Sequence, residues 1–262
     1  HITLMIDSHT HIYGPNFDED YSVVIERAKK TGIEYILLPN IDVESIDQLS
    51  KSVDQNPEFC LPMMGLHPTS VDENWKKNLE IIRACLDNPR HKYIAIGEIG
   101  GDKYWDTKYE VEQKMAFEEQ LRWSIEFDLP VSIHSRNCIS DLIRSIKNVG
   151  ADKLRGVFHS FVGDTEELRQ ILALGNFKIG VNGIVTFKNS TLPVVLRDAT
   201  LKDILLETDA PYLAPMPNRG KRNEPSNLPY IAAKLAEIFQ TTADEVASIT
   251  SENTRQIFNL PV

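Results

Sequence analysis

The sequence predicts an α/β protein whose parallel strands close into a TIM-like (β/α)8 barrel. Three observations lead there. Short apolar runs alternate with amphipathic helical stretches along the chain, at the spacing of βαβ units. About eight such runs can be counted, which is what a closed barrel needs. The 262 residues match the size of that fold, and no low-complexity tract, repeat or linker divides 1–262 into more than a single domain. The alternative is an open, doubly wound sheet, but no glycine-rich phosphate loop follows the first strand.

The elements follow in order. Ile2 to Ile6 is an apolar run that reads as the first, buried strand. Gly14-Pro15 breaks the structure, and Asp20 to Lys30 carries Val23, Val24, Ile25 and Ala28 at helical spacing, stopped by Gly32. Glu34 to Leu38 is the second strand, closed by Pro39-Asn40, and Val43 to Val53 the next helix. Phe59 to Leu66 is the third strand, running into His67-Pro68. Trp75 to Leu86 is helical, with Leu79, Ile82 and Leu86 on one side. Tyr93 to Gly97 is the fourth strand, followed directly by Glu98. A long helix spans Glu110 to Phe127, with Met115, Phe117, Leu121 and Ile125 facing the core. Pro130 to Ile133 is the fifth strand, and a helix follows at Ile139 to Val149. Gly156 to Phe158 is the sixth strand, followed by a helix from Glu166 to Leu174 with Gly175 as its stop. Phe177 to Val181 and Ile204 to Leu206 are the last two strands. A proline-rich loop then leads to helices at Asn227 to Phe239 and Asp244 to Phe258.

Composition narrows the function classes. Hydrophobic residues make up 42% and charged residues 25%, an ordinary globular balance. No apolar run approaches the ~20 residues of a membrane span, and no secretory leader is recognisable. His1 stands where an initiator Met is expected and is given no role. Cys60, Cys85 and Cys138 are scattered without a Cys-x-x-Cys, which argues against a zinc ribbon or disulfide framework and for a reducing cytoplasm. A net charge of −10 weighs against a protein that coats duplex nucleic acid. It leaves open an enzyme that takes a phosphodiester into a metal-filled cleft, where the cations supply the positive charge.

The chemistry sits at the strand exits. His9 and His11 follow the first strand, two residues apart and therefore on one face. Glu98 follows the fourth, His134 the fifth, His159 the sixth and Asp209 the eighth. In a barrel these exits gather on one rim, where active sites of the fold lie. Imidazoles and carboxylates without thiolate suit Zn²⁺, Mn²⁺ or Mg²⁺. Four histidines and two acids are enough for two divalent cations, with Glu98 bridging them and Asp209 binding metal or accepting the proton of a nucleophile.

Several ordered segments carry a more specific signal: Ile6-Asp7-Ser8-His9-Thr10-His11, Gly65-Leu66-His67-Pro68, Ala95-Ile96-Gly97-Glu98-Ile99-Gly100, Pro130 to Arg136, His159-Ser160-Phe161, and Glu207 to Leu213. Asn218 to Pro225 and Glu252-Asn253-Thr254 extend them. Together they resemble the TatD family of metal-dependent deoxyribonucleases in the amidohydrolase superfamily. The resemblance implies a TIM-like barrel with two divalent cations, held by His9, His11, Glu98, His134, His159 and Asp209. It implies hydrolysis of DNA phosphodiesters, as a 3′→5′ exonuclease on single strands, with Glu98 and Asp209 catalytic. It also implies a cytoplasmic protein, here taken as a monomer. One departure is Gly101, where the family usually has leucine before Asp102; its loss is expected to loosen a loop after the fourth strand. Rival readings are a metal-dependent hydrolase of a small amide or ester or of an aminoacyl-tRNA ester, and a non-catalytic metal-binding scaffold.

Further candidates ring the same mouth. His67 reads as a partner of the ligands or a substrate-phosphate contact. The Arg136 guanidinium suits a phosphate held bidentately or an ion pair with Glu98 or Asp102. Arg219 reads as a contact to nucleic-acid backbone, whereas Arg222 reads as a loop pin to Glu207 or Glu224. Tyr104, Trp105 and Tyr212 read as capping residues in preference to base-stacking ones. Asn182 and Lys188 reach either a substrate or nothing but their own loop.

Overall fold

The computed structural model describes residues 3–261. The start of the first predicted strand, Ile2, lies outside them, as does His1. Among the described residues, eight strands are β1 (Met5–Asp7), β2 (Ile33–Leu38), β3 (Cys60–Pro62), β4 (Ile96–Asp102), β5 (Val131–Arg136), β6 (Gly156–Phe158), β7 (Phe177–Val181) and β8 (Ile204–Leu206). Each pairs in parallel with its sequence neighbour, in runs β1-β2-β3 and β4 through β8. Two seams join the runs into a ring. At one, Met64 N–H donates to the Ala95 carbonyl and Gly97 N–H to that of Met64, at 3.2 and 3.1 Å. At the other, Ser8 N–H donates to the Leu206 carbonyl at 3.0 Å and Asp209 N–H to that of His9 at 2.9 Å. The result is the barrel that the strand count predicts.

Alternation along the strands separates two apolar layers. Met5, Ile36, Leu38, Met64, Phe158, Ile204 and Leu206 pack outward against the helices. Their neighbours Ile6, Leu37, Met63, Val157 and Leu205 form a smaller inner cluster. Ile257, Phe258 and Leu260 belong to that inner cluster. The last helix and the residues after it therefore cork the end of the barrel away from the strand exits.

The outer helices are α1 (Tyr21–Thr31), α2 (Ile46–Gln55), α3 (Trp75–Asp87), α4 (Glu110–Phe127), α5 (Ile139–Val149), α6 (Thr165–Leu172), the short α7 (Leu192–Val195), α8 (Leu228–Ile238) and α9 (Ala243–Phe258). Two signals account for their limits. Gly32, at φ 97°, takes the left-handed conformation that ends α1. Asp164 and Glu167 form a reciprocal capping box that starts α6. Leu79, Ile82 and Leu86 are buried on α3 as expected. Met115 is not buried: it is 47% exposed. Phe117 and Leu121 lie four residues apart on the buried stripe, whereas Met115, two residues from Phe117, points about 200° around the helix.

The fourth strand also differs from expectation. It starts at Ile96 and continues through Glu98 to Asp102, so Glu98 lies within it and not beyond its end. Gly101 is buried in this strand and paired with Ser135. The leucine missing there leaves the strand continuous and loosens no loop, because the β5 ladder holds the backbone as far as Asp102↔Arg136.

Candidate metal centre

Glu98 is the hub. It is 2% exposed, and its carboxylate is surrounded by imidazoles. Its Oε1 lies 3.1 Å from His9 Nε2 and 3.6 Å from His11 Nε2. Its Oε2 lies 3.1 Å from His134 Nδ1, 3.2 Å from His67 Nε2 and 3.3 Å from His159 Nε2. Asp209 joins from the β8 exit, with Oδ1 3.4 Å from His11 Nε2 and 3.7 Å from His9 Nε2. The six residues that the sequence singled out at strand exits therefore meet at one point. His67 stands as near Glu98 as they do, closer than a purely peripheral role requires.

Local structure explains the convergence. Asp7, fully buried, accepts hydrogen bonds from the Thr208 N–H at 2.9 Å, the His9 N–H at 3.3 Å and the Thr208 hydroxyl. This ties the β1 exit to the β8 exit, which sets both histidines beside Asp209. Burial pushes the Asp7 carboxyl up to about 7 in spite of those donors. Asn223, also fully buried, donates to the carbonyls of Thr208 and Tyr212, each at 2.8 Å, and so shapes the loop carrying Asp209. At the other seam Glu98 N–H donates to the Asn40 carbonyl at 3.0 Å. Gly100 has φ +145°, and a Cβ there would come within 1.9 Å of the His134 carbonyl oxygen, so only glycine lets β4 approach β5 at the site.

Two carboxylates that sequence reasoning named only as ion-pair partners for arginines take direct part. Asp102 Oδ2 lies 2.8 Å from His134 Nε2, and Glu207 Oε1 lies 3.0 Å from His159 Nδ1. Each holds one ring nitrogen and leaves the other aimed at Glu98, the arrangement by which carboxylates orient metal-binding imidazoles. Glu207 Oε1 also accepts from the Ser160 N–H at 2.6 Å and from Asn182 Nδ2 at 3.1 Å. Asn182 therefore braces the site and is not a substrate group. The other oxygen, Oε2, has no hydrogen-bond partner and packs where a Gly180 Cβ would lie 2.3 Å away. Even spacing along β4 was the available signal for Asp102, which lies four residues after Glu98 in the same strand.

The electrostatics fit a cationic occupant. Burial alone would raise the Glu98 carboxyl, but His67, His9 and His159 hold it well below the usual carboxylate range. Burial and the neighbouring His159 push His9 down, and burial pushes His67 down as well. Burial would also lower His159, but Glu207, Glu98 and Asp209 hold it well above its ordinary value. The His9 and His159 rings stack with centroids 3.4 Å apart. Such crowding of imidazole nitrogens around two acids is what divalent cations relieve. Three donor groups are compact enough for one ion: His9, His11 and Asp209; His9, His159 and Glu207; and His67, Glu98 and His134.

The centre lies at the bottom of a cavity of about 1010 Å³, whose wall includes Tyr13, Tyr104, Trp105, Arg136 and Tyr212. Arg136 makes no ion pair with Glu98 or Asp102. Its guanidinium lies 3.6 Å over the Tyr104 ring. Arg219 stacks 3.9 Å over Phe187, away from the cavity lining. Arg222 is a loop pin as expected, but its partner is Asp20, at 2.6 Å, with a further bond to the Asn16 carbonyl. Glu224 instead takes Arg27, at 2.9 Å. Tyr104, Trp105 and Tyr212 do not cap the barrel: they stand exposed at the mouth.

A parallel barrel with imidazoles and acids at its strand exits defines a class, the metal-dependent hydrolases. The comparisons narrow it. Residues 6–259 match the family model described as TatD related DNase. An uncharacterized metal-dependent hydrolase of Bacillus subtilis, YabD, is 34% identical over 258 residues, covering 98% of this chain and all of the relative. A 3′-5′ ssDNA/RNA exonuclease TatD of a Rahnella strain is 33% identical over 255 residues, covering 93% and 94%. The crystal structure of YjjV, a TatD homologue of Escherichia coli, superposes with a TM-score of 0.92 at 31% identity, over the full length of both chains. The chain belongs to the TatD family of metal-dependent hydrolases.

Proposed function

We propose that this hydrolase cleaves the phosphodiester bonds of single-stranded DNA, releasing nucleotides from the 3′ end. The observation that carries the reading is the meeting of His9, His11, His67, His134, His159, Glu98 and Asp209 below a cavity roomy enough for a nucleotide. The exonuclease named among the relatives supports the substrate and the polarity. Two divalent cations, Mg²⁺, Mn²⁺ or Zn²⁺, are assigned to His9, His11, Glu98, His134, His159 and Asp209. When bound they polarise the phosphoryl group and acidify water at neutral pH.

The chain's own groups do the rest. Glu98 faces both halves of the donor set with its two oxygens and holds them together. Asp209 Oδ1, beside His11 and His9, is placed to take the proton of the attacking water. Asp102 and Glu207 fix the rings of His134 and His159. His67 Nε2 orients the phosphate under attack, and the Arg136 guanidinium holds backbone phosphate through paired N–H donors. Three free cysteines among the described residues fit a cytoplasmic setting, and no described helix is long and apolar enough to cross a membrane.

The test is an end-labelled single strand incubated with Mg²⁺ or Mn²⁺, with and without chelator. A ladder shortening from the 3′ end, lost with EDTA and in Glu98→Gln, is expected. Cleavage indifferent to both, or hydrolysis confined to small amides, lactones or aminoacyl esters, overturns the reading.

A further inference from the structure

Two aromatic rings at the mouth have no part in the chemistry so far. Trp105 is 72% exposed and Tyr104 52%, large costs for rings that serve only to pack. They are held there firmly. Tyr104 N–H donates to Asp102 Oδ1 at 2.9 Å, the same carboxylate whose other oxygen holds His134. Lys103 is pinned by Asp141 and by Glu110, the latter at 2.8 Å. Further along the loop, the Tyr109 hydroxyl donates to Glu73 at 2.7 Å. The loop tip thus presents two aromatic rings on a base anchored at both ends.

Their arrangement is directional. Arg136 covers one face of Tyr104 at 3.6 Å and stands 5.6 Å from the Trp105 ring. Trp105 meets Tyr104 edge to face, with centroids 4.7 Å apart and planes at 89°. Tyr104 therefore supports the guanidinium on its face and the indole roughly at right angles to that, and the indole, 72% exposed, stays largely open. Arg136 has no carboxylate partner among the described residues. It ends β5 two residues after His134, so it lies on the path from the centre to the open ring.

We propose that Trp105, Tyr104 and Arg136 form a nucleotide subsite: the open indole face takes a nucleobase, and the guanidinium takes the phosphate joining that nucleotide to the one being cleaved. The proposal rests on the nucleic-acid reading above and adds which part of the strand is gripped, and by what. It also supplies a reason for a single strand. A base inside a duplex has both faces covered by its stacked neighbours and cannot offer one to Trp105, whereas an unpaired base can. The subsite is indifferent to sequence, because every base has a π face and the guanidinium meets only backbone.

The test measures equilibrium binding of the metal-loaded protein to a labelled, hydrolysis-resistant phosphorothioate oligothymidylate, and to the same backbone carrying abasic residues. Trp105→Ala is expected to weaken binding to the base-bearing strand by about ten-fold and to the abasic strand not at all. Trp105→Phe is expected to restore most of the loss. Arg136→Gln is expected to weaken both strands alike and to reduce the dependence of log K on log salt by about one. If the wild type cleaves single strands while Trp105→Ala binds both strands as the wild type does, the subsite is overturned and the nuclease reading stands. If the wild type neither cleaves nucleic acid nor distinguishes the two strands, both fall.

Discussion

The floor of the cavity and its mouth are built on opposite plans. On the floor every imidazole faces a carboxylate and all but the half-buried His134 are buried, and those carboxylates are set by strand register and by bonds such as Thr208 to Asp7. At the mouth, Tyr104 and Trp105 stand exposed, packed against each other and against the Arg136 guanidinium. The contrast separates two tasks. The floor leaves each ring little freedom and so fixes the reaction. The mouth is free to change without disturbing the strands, and so sets what reaches the floor.

The predictions sharpen that division, the floor first. Removing the cations with a chelator, or replacing Glu98 by Gln, should lower the hydrolysis rate by about a thousand-fold or more, since metal stabilisation of the transition state amounts to several kcal/mol. Re-adding Mn²⁺ should restore the chelated wild type but not the variant; recovery of both would show that Glu98 is dispensable. Next come Asp102→Asn and Glu207→Gln, which keep the side-chain shape. Each should weaken metal binding by about ten- to a hundred-fold in competition with a fluorescent chelator. Unchanged affinity would mean that the floor does not depend on these braces. Gly180→Ala should mimic Glu207→Gln in the same titration, because the added methyl would displace the Glu207 carboxylate. It should also lose about 1–3 kcal/mol of stability through overpacking. The smallest effect belongs to the mouth: Arg222→Ala, which breaks the half-exposed pair with Asp20, should cost about 1 kcal/mol or less in denaturant melts. A larger loss would mean that the outer loops support the floor after all.

The same division explains what the sequence made legible. Strand exits are marked by an abrupt change from apolar to acid or imidazole, so His9, His11, Glu98, His134, His159 and Asp209 stood out before any coordinates. α4 and α5 follow their predicted limits because apolar periodicity and local breakers define them. Long-range pairings left no local trace. Asp7 finds Thr208 at a separation of 201 residues, and Arg222 finds Asp20 at 202. Nothing beside Arg222 favours Asp20 over the nearer Glu224, which Arg27 occupies. The strand carrying Glu98 read five residues too short at its end, at Gly97 in place of Asp102, because Gly97, Gly100 and Gly101 look like breakers while the β5 ladder in fact holds them in the strand.

The seam between β1 and β8 has a consequence for how the molecule comes into being. Its two sides lie about 200 residues apart, so His9 and His11 leave the ribosome long before Asp209 exists to meet them. Until the eighth strand docks, the early imidazoles have Glu98 but neither Asp209 nor a closed wall around them. A growing polypeptide therefore carries no complete centre until β8 has been made and has closed upon β1.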